Sequence, residues 1–330
     1  MKNLYITQSG TLKRKDNTIL FENSKIKKVI PIQGIETIYA LDEINVNTKL
    51  LCFLQQNKIS LHFFNYYGYY SGSFYPKESY VSGNLLIKQV EHYTDKKLRL
   101  QLAIKIVQGI ARNICYVLRH YSKHGIDVSN ALGRINAASR KATLCYSVNN
   151  LLIVEGSIWD NFYSCFSKIV LKGFIWKRRV KRPPDNPLNA LISFGNSLLY
   201  TRVLSSIYFT QLNPTISYLH KPFERRFSLS LDISELFKPS LVFQTIFKVI
   251  NKKMIRLSHF DARVNYCYLN TEGRRIFVTE FDKKLRKASK HPKLGRSISN
   301  QTLVKVECYK LIKHLLGEKQ YDPFNLRKRC

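Results

Sequence analysis

Carboxylates are scarce in this 330-residue chain: 22 Asp and Glu stand against 54 Lys and Arg, a formal net charge of +32. The excess runs along the whole length, and its commonest use is to neutralise phosphates; a ribosomal-type or membrane-surface protein is the alternative. No CxxC pair exists among the seven scattered cysteines, which excludes a zinc ribbon or a dithiol redox motif and suits reduced, intracellular thiols. The opening MKNLYITQSG lacks the apolar run of a signal peptide, and no window approaches roughly 18 uninterrupted apolar residues, so no membrane span is expected. Internal repeats of solenoid period are also missing. What is present is a core: 45% hydrophobic and 12% aromatic residues exclude a disordered basic tail.

The hydrophobic period changes along the chain. Up to about residue 85 it is short and strand-like: LYIT and TILFE alternate, with Ser9-Gly10 and Asp16-Asn17 as turn signals. LLCFLQQ has the look of a short helix, and ISLHFFNYYGYYSGSFYP reads as strand, turn, strand. Beyond residue 90, Leu98, Leu102, Ile106, Ile110, Ile114 and Leu118 recur every fourth position, which predicts a long amphipathic helix, and helical patterns continue to the end. The expected class is α+β: a small β-rich domain over 1–85, a linker over 86–93, and a larger all-helical domain over 94–330.

Two basic tracts stand out. Five of the six residues 177–182 are Lys or Arg (Lys177, Arg178, Arg179, Lys181, Arg182), and Lys283 to Arg296 holds seven, including Lys283, Lys284, Arg286 and Lys287. With Arg225-Arg226, these are the candidate phosphate contacts; the alternative is a solvated face.

Against this background a few residues are out of place. Glu155, in LLIVEG, interrupts an apolar stripe of Leu151, Ile158, Phe162, Phe166 and Ile169 on a helix expected over about 148–170. A carboxylate there snorkels, pairs with a buried Arg, or serves a function. Asp232 and Glu235 are three apart and share a helical face, and Pro239 cannot donate to the Glu235 carbonyl, so the helix starts late or kinks beside this acid. They could equally be a capping or solvated pair. His220 precedes Lys221-Pro222, where a regular helix does not easily continue, and a lone histidine is most often structural. Taken together, one imidazole and two or three carboxylates suit Mn²⁺ or Mg²⁺ rather than structural zinc.

At these residues the chain resembles a known family, the CRISPR-associated integrases of spacer acquisition, or Cas-one family. RPPDNPLNALISFGNSLLY at 182–200 carries the most specific match, flanked by VEG at 154–156, YLH at 218–220 and SLSLDISELFKP at 228–239. Weaker likeness in FFNYYGYYSGSFYP and ECYKLIKHLLGEKQYDPF extends it over essentially the whole chain, in a style nearest the type I-B branch. The resemblance implies metal ligation by Glu155, His220 and Glu235, with Asp232 at a commonly acidic supporting position. It implies a metal-dependent DNA endonuclease and integrase that directs a prespacer 3′-OH onto a repeat-end phosphodiester with Mg²⁺ or Mn²⁺. It further implies a homodimer joined through the β-rich domains, a complex with the small Cas-two protein, double-stranded and branched DNA as substrates, and the cytoplasm of a prokaryote. Lys238 stands where Arg is usual, Phe243 where many members carry an acid, Asn196 where an aromatic is common, and Phe162 in place of a frequent Tyr. None of these removes a ligand, but a second metal finds no support. A non-catalytic nucleic-acid scaffold and another structure-specific nuclease are the competing readings.

Overall fold

The computed structural model describes residues 2–77, 80–181, 183–222, 227–263, 266–290 and 295–326. The chain begins with strands β1 (Lys2–Ile6), β2 (Gly10–Lys15), β3 (Thr18–Glu22), β4 (Lys27–Pro31), β5 (Ile35–Ala40) and β6 (Ile44–Val46), helix α1 (Thr48–Gln56), and strands β7 (Ser60–Phe64) and β8 (Tyr70–Phe74). They form two four-stranded sheets of order β1-β5-β7-β8 and β4-β3-β2-β6. The expected strand, turn, strand at the end of this region is the antiparallel β7–β8 pair. Both sheets and α1 share one core that includes Leu12, Ile19, Ile38, Leu50, Leu54 and Leu61.

Strand β5 shows how this region meets the rest. Ile38 and Ala40 point into the β-rich core, while Tyr39 between them belongs to the helical core. Successive strand side chains face opposite ways, so a sheet covered on both faces needs this run of buried residues. Polar contacts seal the joint. Arg202, 2% exposed, reaches Glu36 at 2.7 Å, and Asn3 donates to Asp282 at 3.0 Å and Gln301 at 3.1 Å.

Residues 86–93, expected as a linker, lie instead within helix α2 (Gly83–Thr94). Ser82 caps it, Leu85 and Gln89 are buried, and the Gln89 side chain exchanges two hydrogen bonds with the Asn213 backbone. Asp95 then caps α3 (Lys96–Ser122) by accepting from Lys97 and Leu98. A cap directly abutting the preceding helix looks like an interruption in the sequence, although helix lies on both sides of it. The four-residue apolar period of α3 is buried from Leu102 to Leu118, whereas Leu98 at its start is 37% exposed.

Helices α4 (Ser129–Lys141), α5 (Val148–Tyr163), α6 (Phe166–Ile169), α7 (Pro187–Tyr208), α8 (Ser228–Phe237), α9 (Gln244–Asn251), α10 (Thr271–Arg286) and α11 (Asn300–Leu315) follow. The larger part is not all helical. It contains two short hairpins, β9 (Phe260–Arg263) with β10 (Tyr266–Leu269) and β11 (Ala288–Lys290) with β12 (Ser297–Ser299). Short two-stranded units of three or four residues leave little periodic trace in a sequence.

Helix α7 is the central post, buried on nearly all sides; Asn186 caps it and Pro187 opens it. Gly195 in its middle permits the tightest approach, since a Cβ there would sit 2.7 Å from Val242 Cγ1 and 3.0 Å from Phe277 Cζ. Gly195→Ala should therefore overpack this contact and destabilise the protein by about 1–3 kcal/mol. Gly72→Ala, whose Cβ meets nothing within 4 Å, should leave the thermal midpoint in place. Equal midpoints for the two variants would refute the packing role of Gly195.

Candidate active site

Helix α5 begins at the Ser147 cap, and its stripe of Leu151, Ile158 and Phe162 is fully buried, with Phe166 and Ile169 of α6 continuing it. The helix expected over 148–170 is thus broken after Tyr163. Glu155 is half-buried among these residues, and the Trp159 indole one turn on donates to its Oε1 at 2.6 Å.

His220 sits in the irregular stretch that follows α7. The carboxylate of Asp232, wholly buried on α8, shapes this stretch. Its Oδ2 accepts the backbone N–H of Tyr218 at 2.7 Å and of Leu219 at 2.9 Å. Its Oδ1 accepts the N–H of His220 at 3.0 Å and lies 2.8 Å from the imidazole Nδ1. Asp232 therefore orients His220 and leaves Nε2 as the ring nitrogen available for other work.

Glu235 is one turn further along α8 and 5% exposed. Its Oε1 pairs with the Lys238 ammonium, and its Oε2 is buried with no hydrogen-bond partner. Lys238 also lies 5.7 Å over the Trp159 ring, so both acids touch one Lys–Trp pair. The kink expected at Pro239 is a π-helical turn, Lys238–Phe243, inserted between α8 and α9. Because proline lacks the N–H that would serve the Glu235 carbonyl, the backbone widens rather than stops.

The charges are mutually felt. Burial first, then the Glu235 charge, push the Glu155 carboxyl up to about 7, against the pull of His220, Lys238 and the Trp159 donor. Burial would lower the His220 pKa, but the Asp232 hydrogen bond and charge, aided by Glu235 and Glu155, hold it above its ordinary value. Lys181, although exposed, is lowered by partial loss of water and by the Arg179 and Lys238 cations, against the pull of the Glu235 and Glu155 charges.

Glu155, Glu235 and the His220 Nε2 are the groups here that could hold a metal. Among the described residues no three or more His, Cys, Asp and Glu side chains are gathered as a finished ligand set. The residues nevertheless fit a hard divalent cation. Glu235 keeps an unpartnered buried oxygen, its charge helps raise the proton affinity of Glu155, and the Lys238 ammonium supplies positive charge beside them. Phe243, where an acid would have allowed a second metal, is fully buried against Trp159, Phe162, Tyr163 and Phe166.

The basic tracts divide. Lys177, Arg178 and Lys181 are exposed, whereas Arg179 turns inward to Asn189 Oδ1 and Ser193 Oγ, both at 3.0 Å. Lys283 pairs with Glu280 at 2.8 Å, Arg286 with Asp282 at 2.7 Å, and Lys284 bonds Gln244 at 2.7 Å; Lys287 follows at the α10 C-cap. Arg182, Arg225 and Arg226 lie outside the described residues. Sequence reasoning missed Trp159 and the place of Lys238 in the cluster; their spacings, four from Glu155 and three from Glu235, are the signals that could have found them.

Fold and site together define a strongly basic α+β protein whose helical part gathers two carboxylates, an imidazole and two lysines. The model of the family described as CRISPR associated protein Cas1 matches residues 4–283. A relative from Thermodesulfovibrio yellowstonii, named CRISPR-associated endonuclease Cas1 3, is 47% identical over 98% of this chain and 99% of its own. A solved CAS1 protein from Thermotoga maritima superposes with a TM-score of 0.87 at 40% identity, over 97% of this chain and 99% of that one. A casposase bound to integration product shares the fold, with a TM-score of 0.90 at 20% identity over 100% of this chain and 95% of its own. The chain belongs to the Cas1 family.

Without metal, the Glu155 carboxyl keeps its proton up to about pH 7 in the folded chain, against an ordinary value of 4.5. Its contribution is therefore fully present below pH 4.5 and is lost as the pH rises through 7. Glu155→Gln keeps an acceptor for Trp159. In chelator it should melt like wild type at pH 4 and about 2–4 °C higher at pH 8. A pH-independent difference would show that Glu155 is not held protonated.

Proposed function

We propose that this protein is the metal-dependent DNA endonuclease and integrase of CRISPR spacer acquisition. It joins a prespacer 3′-OH to a repeat-end phosphodiester as a homodimer joined through its β-rich domains and bound to the small Cas-two protein, in the cytoplasm of a prokaryotic cell. The observation that carries the reading is the convergence of Glu155, Glu235 and His220 in a chain of net charge +32. Such a concentration of acid suits a cation that meets phosphate. Family membership and the relative's name support endonuclease activity.

Glu155, Glu235 and His220 Nε2 would hold Mg²⁺ or Mn²⁺. Such an ion supplies Lewis-acid polarisation of the phosphodiester and stabilises charge on the leaving oxygen. The side chains prepare for it. Asp232 at Nδ1 sets the imidazole tautomer that leaves an Nε2 lone pair. Glu155 must release its proton, and Lys238 must leave Glu235, whereupon its ammonium is available to the phosphate. Lys181, exposed and within reach of the charge of both acids, can neutralise the incoming strand.

Glu155→Ala should reduce Mn²⁺-dependent strand cutting and joining by at least about 10²-fold while low-salt duplex binding persists. Wild type should melt at higher temperature with Mn²⁺ at pH 8, and Glu155→Ala should not. Retained catalysis would defeat the ligand assignment. RNA turnover without strand transfer would favour an unrelated nuclease, and metal-indifferent binding without catalysis a scaffold.

The exposed and inward-turned arginines separate in a salt titration. Each phosphate contact removed should flatten the slope of log affinity against log salt by about 0.9. Lys177→Ala with Arg178→Ala should flatten it by nearly twice that. Arg179→Ala should mainly lower the melting temperature through its lost bonds to Asn189 and Ser193. The opposite assignment would show that Arg179 leaves α7 to bind DNA.

A further inference from the structure

Glu235 sits where α8 loses its regular continuation. The π-helical turn Lys238–Phe243 begins three residues later, so further α-helix does not secure the direction of this acid. What holds the end of α8 comes from elsewhere in the chain. Asn113, wholly buried in α3, donates from Nδ2 to the Leu236 carbonyl at 3.0 Å and to the Phe324 carbonyl at 2.9 Å. Its Oδ1 accepts the Leu326 N–H at 2.9 Å. Two carbonyls on one side and an N–H on the other fix which way the amide points. One turn earlier on the same face of α3, Gly109 makes room: a Cβ there would lie 2.7 Å from Leu236 Cδ2 and 2.8 Å from Pro323 Cβ.

The segment Tyr321–Leu326 that meets Asn113 is tied down as a strap against α3, α8 and α11. Glu307 of α11, 2% exposed, accepts the Tyr321 hydroxyl at 2.6 Å and the Phe324 N–H at 2.9 Å on Oε1. Arg112 donates to the Pro323 carbonyl at 3.0 Å. The Phe324 ring lies on Phe237 of α8, 4.4 Å away and 17° from parallel. Asp232 thus grips α8 one turn before Glu235, through residues 218–220, and the strap grips it at the two residues after. Glu235 lies between the two holds, its Oε2 buried and without a hydrogen-bond partner. Burial of apolar surface alone would not need the amide. An apolar network of the same shape can be nearly as stable, whereas a fully bonded polar one selects a single arrangement.

We propose that Asn113 is a positioning residue for Glu235: with the Tyr321–Leu326 strap it fixes the end of α8, and so aims the Glu235 carboxylate at the cation. This assignment rests on the reading that Glu235 holds a divalent metal.

The test reads the place of Glu235 with and without metal. Lys238, paired with Glu235, lies 5.7 Å over the Trp159 ring, so the indole senses any shift of that pair. The chain has two tryptophans, and Trp176→Phe throughout leaves Trp159 alone to emit. In chelator, Asn113→Ala and Phe324→Leu should each move the Trp159 emission maximum. Calorimetry should then show each binding Mn²⁺ roughly tenfold more weakly, and strand joining should fall in kcat with the KM for DNA unchanged. Leu54→Ala opens a cavity in the β-rich core, away from α8. It should lower the melting temperature and leave the emission and the Mn²⁺ affinity at wild-type values. Where Asn113→Ala does not fold, Phe324→Leu decides, since it keeps an apolar side chain in place and removes only the stacked ring. In a Glu235→Gln background, either variant should cost no further Mn²⁺ affinity, because the strap acts through that acid. Additive losses overturn the proposal, as do variants that match Leu54→Ala in every readout. Absence of Mn²⁺ binding to wild type, with the emission shift present, would defeat the metal reading and leave the positioning role standing. Equal Mn²⁺ binding by wild type and both variants, with no emission shift, would defeat the positioning role alone.

Discussion

The Asp232 carboxylate organises the site. It takes three successive backbone amides, from Tyr218 to His220, together with the imidazole of the last. An unpaired carboxylate in that position would be strongly disfavoured, and three unpaired amides nearly as much. Each needs the other, and their pairing forces an irregular segment against α8. The direction of His220, and hence its relation to Glu155 and Glu235, follows from that exchange. The acid closest to the sequence centre of the site is thus the one that shapes the backbone around it.

A second constraint is electrostatic. Glu155 and Glu235 lie on different helices, and burial raises the proton affinity of the first while the second leans on Lys238. Neither arrangement stabilises the fold for its own sake: a buried acid pair is unfavourable until a proton, an ammonium or a metal intervenes. The π-helical turn at Lys238–Phe243 brings that ammonium onto Glu235, and Gly195 lets α7 come close to the same turn. Distortion and close packing concentrate where the charges do, as widened helical turns often do at functional sites.

Much of this was legible from periodicity. The strand-like first 85 residues, the long α3 stripe, the β7–β8 turn and the kink at Pro239 each follow from local spacing or from one residue's missing N–H. Glu155 stood out because it broke an apolar stripe, which is a local signal. Other features left no such trace. Helix α2 was hidden because the Asp95 cap reads as a break, and the short hairpins span too few residues to show a period. Arg179 and Arg178 are neighbours of identical chemistry, yet one bonds α7 and the other is exposed. No sequence spacing separates them, because the difference depends on which side of an irregular segment faces a helix.

By itself, then, the sequence determined the charge, the division into strand-rich and helical parts, the family motifs and the identity of the odd acids. These are properties of composition and of neighbours within a few positions, which backbone geometry translates directly. Only the tertiary structure decided that Asp232 serves the His220 backbone, that Lys238 and Trp159 join two acids 80 positions apart in the chain, and that a tyrosine turn from the β-rich part stands beside Lys181. Those pairings arise from packing between distant segments, where burial removes water and makes each unpaired charge or amide find a partner that local sequence does not specify.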